Sequence, residues 1–299
     1  MGVQIHDWLR AARPLAHANV APPLVLGQAF AWATTGRFSW TAAALIHAFG
    51  VVDHLFIVFA NDYADRDTDA DNTTYTPFSG GSRVIAEGRL SPDALRRAAV
   101  AMAASLVALA GAWSGSRPGM VAFAFVALGL LWAYSYPPLR YAHRAEGALL
   151  QGLGVGVILP LVGFYGQTGS LAAFPWSALG PLFLLGTAGN VVTALPDTPS
   201  DRRAGKRTWA VRQGVARART HAVLVVALAV VLSGFVGPPL PPGARMCLVA
   251  VPATAVATSL FFVRRAAPDH RGAMLGFVTT LGGAIALTWV TWAVALFID

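Results

Sequence analysis

Residues 59–72 read FANDYADRDTDADN and set five aspartates at the end of an apolar run, in a chain that is 56% hydrophobic and has only 14 acidic residues. The run before them, over roughly 40–60, is long enough to cross a bilayer as a helix, which takes about 20 residues. If that helix continues past the membrane edge, Asn61, Asp62, Asp65 and Asp69 fall within an arc of about 100°, at about 100° per residue. Asp67 and Asp71 point to the other side. One helical face then presents three carboxylates and an amide. Like charges this close repel unless a cation binds among them. An all-oxygen ligand set suits Mg²⁺, which keeps several waters and takes carboxylates together with substrate phosphates. A calcium loop is excluded, because Ala70 stands where the loop needs glycine and Thr76 where it needs glutamate.

Outward from this stretch, apolar runs recur along the whole chain. Charged residues make up 12% of it, about half the roughly 25% typical of a soluble domain. The pattern predicts an all-α polytopic membrane protein of about nine transmembrane helices, at 18–35, 40–60, 93–113, 118–134, 146–166, 176–196, 220–236, 244–263 and 272–297. The chain is expected to form a single transmembrane domain over 1–299, with cytoplasmic cap loops at about 61–92 and 197–219. Of the 22 lysines and arginines, only Arg37, Arg117 and Arg245 fall in loops on the far side. The positive-inside rule then predicts a cytoplasmic N-terminus and an external C-terminus in the cell's inner membrane. The net charge of +8 is read as basic loops facing anionic lipid headgroups, with no nucleic acid as partner. The single cysteine, Cys247, permits no intrachain disulfide.

A second acidic stretch decides between a solvated loop and a site. ALPDTPSDRRAGKRTWAVRQG covers residues 194–214. Asp197 and Asp201 are i and i+4 on one helical face, again at the cytoplasmic end of a span. Asp62, Asp65, Asp67, Asp69, Asp71, Asp197 and Asp201 are together half of the chain's 14 acids. Lys206 is the only lysine in the chain, and Arg83, Arg140, Arg202 and Arg207 are close in sequence or on the same side. Carboxylates for metal and cations for phosphate oxygens are what departure of a diphosphate requires.

NDYADRDTD has the form N-D-x-x-D-x-x-x-D and DTPSD the form D-x-x-x-D. With YSYPPLR between them and GKRTWAVRQG after them, the chain resembles the UbiA superfamily of intramembrane prenyltransferases. The resemblance covers most of the chain, including the nine spans. It implies a helical bundle around a central cavity, with Mg²⁺ bridging the motifs and holding a prenyl diphosphate. Ionisation gives an allylic cation, which an acceptor, often an aromatic ring, captures. On this resemblance Asn61, Asp62, Asp65, Asp69, Asp197 and Asp201 are metal ligands. Tyr136 and Arg140 match a Tyr-Pro-x-x-Lys/Arg element, and Lys206 matches the basic residue after the second motif. These three, with Arg83 and Arg202, are expected to bind diphosphate. The Gly-Gly-Ser within TPFSGGSRVIAEGRLSP, residues 76–92, looks like the dihydroxynaphthoate branch, which makes menaquinone.

His54 shares a face with Asn61 and is a candidate for the cavity wall, where it could accept a proton. Asn190 and Thr193 share the face of Asp197 and are candidates for the same wall. Asp53 is expected to face protein rather than lipid, because an intramembrane acid is costly. Two other functions fit parts of the pattern. A terpene cyclase of the same superfamily would capture the cation within its own chain. A transporter would place its coupling residues near the midplane, whereas these acids lie at the membrane edge.

Overall fold

The computed structural model describes residues 5–298. Among them the only regular elements are helices, with two isolated bridges, Thr76–Ser79 and Arg144–Arg207. In chain order they are α1 (Ile5–Ala11), α2 (Ala21–Thr35), α3 (Trp40–Ala64), α4 (Arg66–Ala70), α5 (Pro92–Trp113), α6 (Gly119–Ser135), α7 (Gly147–Leu153), α8 (Leu159–Thr168), α9 (Leu179–Ala194), α10 (Thr198–Arg203), α11 (Trp209–Gln213), α12 (Val215–Ser233), α13 (Pro242–Val263) and α14 (Arg271–Ile298). A π-helical turn, Gly154–Ile158, joins α7 to α8 without a break in the rod.

Every apolar run expected from the sequence coincides with a helix. By length and hydropathy, seven of these helices could cross a membrane, the α7–α8 rod counting as one; Gly119–Ser135 is apolar but shorter. Ala21–Thr35, at 15 residues, is shorter still. The bundle exposes large apolar side chains around its outside, among them Val100, Phe125, Leu224, Met246 and Phe261. A soluble protein would bury such a girdle; a lipid solvent accepts it.

Local chemistry sets the helix ends. Ser39 and Ser91 cap α3 and α5 by accepting from the N–H groups of Ala42 and Ala94, and Pro92 opens α5, where its missing N–H costs nothing. Inside the bundle, α2 packs on α8, α3 on α5, α7 on α9 and α13 on α14. The α2–α8 contact depends on two glycines. A β-carbon on Gly27 would lie 2.1 Å from the carbonyl oxygen of Pro160, and one on Gly163 would lie 2.3 Å from that of Leu24. Small residues at a crossing are how membrane helices approach closely.

The helical continuation expected beyond residue 61 and the helical face expected at Asp197 and Asp201 appear as the short α4 and α10, whereas α1 and α11 were not foreseen from the sequence. α4, α10 and α11 gather at one end of the bundle with the loops that follow α3 and α9. α1 folds over the same end. Arg10 makes a bidentate pair with Glu87, both contacts at 2.6 Å, and Asp7 pairs with Arg89 at 3.2 Å.

Candidate active site

The two acidic stretches meet at this capped end, above a cavity of about 340 Å³ that runs down into the bundle. α3 stops at Ala64, but the chain keeps nearly helical connectivity through the step to α4. The Asp65 N–H donates to Asn61 O at 2.9 Å and the Asp69 N–H to Asp65 O at 2.8 Å. Asn61, Asp65 and Asp69 therefore all reach the cavity wall. On the other side Asp197 leads into α10, Asp201 follows one turn later, and both face the same space. Asp67 and Asp71 are exposed.

The loops are tied across the mouth. Asn72 donates to Asp197 Oδ1 at 2.7 Å, and Ser79 donates to the same oxygen at 3.2 Å. The Arg207 N–H donates to His143 O at 2.7 Å, while the His143 ring contacts Asp65 Oδ1 at 3.2 Å. Lys206, returned toward the cavity just after α10, sits between the motifs. Its Nζ is 3.4 Å from Asp201 and 3.7 Å from Asp65.

These contacts divide the carboxylates into two kinds. Burial opposes ionisation of Asp65, but the His143 hydrogen bond and the charges of Lys206 and Arg140 prevail and hold its carboxyl below the usual range. Burial also opposes the Lys206 charge, yet Asp65, Asp201 and Asp69 raise its affinity for a proton. Asp69 has weaker help, since the charge of Lys206 favours its ionised form but does not prevail. Burial first, then the charges of Asp65 and Asp62, push its carboxyl up to about 7. Burial, with the charge of Asp201 adding to it and the Asn72 hydrogen bond opposing, puts Asp197 at about 6. One lysine thus leaves carboxylates uncompensated. No cluster of three acidic, histidine or cysteine side chains is closed to ligating distance among the described residues. The donors are all oxygens on facing walls, and the Asp69 carboxylate has no hydrogen-bond or ion-pair partner among the described residues, so the residues fit a hard divalent cation.

Several side chains sit elsewhere than the sequence suggested. Asp62 is buried but off the cavity wall. It accepts from the Ser82 N–H at 3.0 Å and pairs with Arg13 at 3.4 Å. The face argument fails for it because α3 ends two residues later and the 80–82 turn packs on its outer side. Arg83 spends its guanidinium on the carbonyls of Asp69 and Asn72, at 2.7 and 3.1 Å, and stacks on Tyr75. It holds the loop rather than lining the cavity. Arg202 is exposed on the outside of α10. Tyr136 donates to Ala60 O at 3.0 Å, and Arg140 lies 3.8 Å from Asp65, so both brace the end of α3 from behind. Lys206 alone of the expected diphosphate cations reaches the cavity wall.

Deeper in the cavity, Asn190, Thr193 and His54 line the wall as expected. Asn190 donates to Tyr134 Oη at 2.9 Å and to Gln151 Oε1 at 3.0 Å. His54 Nε2 is held 2.8 Å from Ala12 O. Leu130, Val155, Ile158 and Leu159 make the lining apolar around them.

Residues the sequence reading missed are Asn72, Ser79, His143, Arg13, Tyr134 and Gln151. Asn72 closes the quoted acidic stretch, and an amide ending an acidic run was the available signal. The Gly-Gly-Ser element has a geometric role. Gly81 has φ +70, and a β-carbon there would lie 2.3 Å from Asp69 Oδ2. Only glycine lets this turn lie against both Asp62 and Asp69.

An all-helical bundle with two aspartate motifs facing one cavity from its capped end is the architecture of an intramembrane protein with an acidic, cation-fitting site. Residues 20–281 match the UbiA prenyltransferase family, and the chain belongs to that family and is a prenyltransferase. It is 31% identical over 235 residues, 76% of each chain, to 1,4-dihydroxy-2-naphthoate octaprenyltransferase of Mycobacterium tuberculosis. It is 28% identical over 230 residues, 76% of this chain and 74% of the other, to a lycopene elongase/hydratase of Haloarcula japonica. Its fold is that of a UbiA homolog from Archaeoglobus fulgidus bound to GPP and Mg²⁺, with TM-score 0.69, 19% identity, and 98% and 100% of the two chains covered.

Proposed function

We propose that this prenyltransferase moves an isoprenyl group from a prenyl diphosphate to a hydroxylated aromatic acceptor of the 1,4-dihydroxy-2-naphthoate class, with Mg²⁺ as cofactor. The observation that carries the reading is the meeting of Asp65 and Asp69 with Asp197 and Asp201 around Lys206, at the head of a cavity with apolar walls. Asn61, Asp65, Asp69, Asp197 and Asp201 would hold the metal. When bound, Mg²⁺ neutralises diphosphate charge and makes it a better leaving group.

The chain's own residues do the rest. Lys206 donates to diphosphate oxygens from between the motifs. Asn72 and Ser79 fix the rotamer of Asp197. His143 and Arg140 keep Asp65 ionised and ready to ligate. Leu130, Val155, Ile158 and Leu159 take the apolar tail and keep water from the cation. The Gly-Gly-Ser turn and the naphthoate-prenylating relative favour an aromatic acceptor, and the relatives described above are a transferase and an elongase/hydratase, which favours transfer over cyclisation. The excess of basic residues in the capping loops favours a cytoplasmic site in the inner membrane.

The test is a product assay. Purified protein is given Mg²⁺, prenyl diphosphates of several lengths, and 1,4-dihydroxy-2-naphthoate or no acceptor. Mass spectrometry is expected to find prenylated naphthoate only when acceptor is present. A cyclised hydrocarbon made equally well without acceptor would replace transfer with cyclisation.

A further inference from the structure

Asp53 lies in the membrane part of α3, eight residues before Asn61, or about 12 Å at 1.5 Å per residue. It is only 4% exposed and lines the same cavity. Its carboxylate has no hydrogen bond or ion pair among the described residues, and Oδ1 is sealed from solvent with nothing to accept from. Carboxylates within a membrane helix are costly and normally paired, and an unmatched buried polar group calls for an explanation.

Among the described residues none partners it. Arg13 and His54 line this part of the cavity, but the Arg13 guanidinium is turned to Asp62 at 3.4 Å and His54 Nε2 to Ala12 O. Ile57, Val58 and Leu159 nearby on the wall bring no donor. A ligand entering the cavity can bring one. A prenyl diphosphate cannot supply it, because its tail is hydrocarbon and its head is anionic. The donor belongs to the second substrate.

We propose that Asp53 binds the acceptor, accepting a hydrogen bond from a ring hydroxyl; the assignment rests on the aromatic-acceptor reading above. A carboxylate and a phenolic hydroxyl form a short, charge-assisted hydrogen bond. That bond orients the ring in the cavity below the metal end. It also shifts electron density from the O–H bond into the ring, toward the carbons that attack the prenyl cation. A site built to meet a hydroxyl rejects the analogue lacking it, because its own polar group is then left unpaired.

The test uses full-length protein with Mg²⁺, a prenyl diphosphate and 1,4-dihydroxy-2-naphthoate, comparing wild type with Asp53→Leu and Asp53→Asn. We expect Asp53→Leu to raise KM for the naphthoate by about 10- to 100-fold, with Asp53→Asn in between, since the amide oxygen still accepts. KM for the prenyl diphosphate should stay within about twofold of wild type, and the melting temperature should hold or rise, because an unpaired buried carboxylate is removed. Mono-O-methyl ethers of the naphthoate add a second readout. Wild type should reject the ether that blocks the bound hydroxyl, and Asp53→Leu should not distinguish it from the parent. An unchanged naphthoate KM in Asp53→Leu would overturn the assignment. So would equal rises in both KM values with a lower melting temperature, the signature of a structural residue. If wild type prenylates the naphthoate normally and Asp53→Leu does the same, only the assignment to Asp53 falls. If wild type releases diphosphate and prenylates no hydroxylated acceptor, the functional reading falls and takes this assignment with it.

Discussion

Asp69→Asn should stabilise the metal-free protein while abolishing its activity. The carboxyl has an ordinary value of 3.8 and is pushed up to about 7 by burial and by Asp65 and Asp62. A group that holds its proton more tightly when folded penalises folding once pH rises above the unfolded value. The penalty begins near pH 4, grows until about pH 7, and is constant beyond. At about 1.4 kcal/mol per unit, the gap between 3.8 and about 7 sets an upper cost near 4 kcal/mol. Water at the cavity mouth screens part of it, leaving about 2–4 kcal/mol. Asparagine has the same size and no charge to desolvate. In EDTA at pH 8, Asp69→Asn should therefore melt above wild type, and at pH 4 the two should coincide. Adding Mg²⁺ and a prenyl diphosphate should raise the wild-type midpoint and leave the variant nearly unmoved, because a ligand stabilises only the state that binds it. A variant that melts below wild type at pH 8, or a difference that ignores pH, would refute the idea that Asp69 is a surplus carboxylate awaiting a cation.

Replacing Asp65 or Asp201 with Asn should cost about 100-fold or more in turnover, since each loses a charged oxygen facing the leaving group; Asp67→Asn and Asp71→Asn, both in solvent, should stay within about threefold in the same assay. Lys206→Ala should raise KM for the prenyl diphosphate at least about tenfold, whereas Arg202→Ala and Arg37→Ala should leave it unchanged; equal effects at the three positions would mean that their charge acts only through topology. A cysteine placed at exposed Ala204, with Cys247 removed, should resist an impermeant thiol reagent applied to intact cells. Strong labelling from outside would invert the orientation.

The helices were legible because a bilayer imposes a length and an apolar composition that survive in the sequence. The site was partly legible. Asn61, Asp65 and Asp69 could be placed on one face by counting along a helix, and Asp197 and Asp201 likewise, because each set lies within two turns. Asp62 was misplaced by the same count, since the helix ends just beyond it and a glycine turn from residues 80–82 takes its carboxylate. Arg83 and Arg202 were misjudged because closeness in sequence says nothing about where a guanidinium points. Asn72 and Ser79 reach Asp197 from more than a hundred positions away, and only the fold supplies that contact. Asp53 could be seen to be unusual, but its lack of a partner belongs to three dimensions.

The π-turn at Gly154–Ile158 has a bearing on how this chain can change over time. Along an uninterrupted α-helix, Gly156 and Gly163, seven residues apart, would share a face. Here a β-carbon on Gly156 would meet Leu182 O at 2.3 Å, in α9, and one on Gly163 would meet Leu24 O at 2.3 Å, in α2. One extra residue in the turn lets a single rod serve two neighbours. Losing or gaining a residue in a membrane helix ordinarily swings everything beyond it by about 100°. Between Gly154 and Ile158 the rod already carries such an insertion, so a deletion there would restore plain α-helix and leave both glycine contacts in register. A lineage could lose one residue at that point, reshape the wall behind the bound tail, and keep the rest of the bundle as it was.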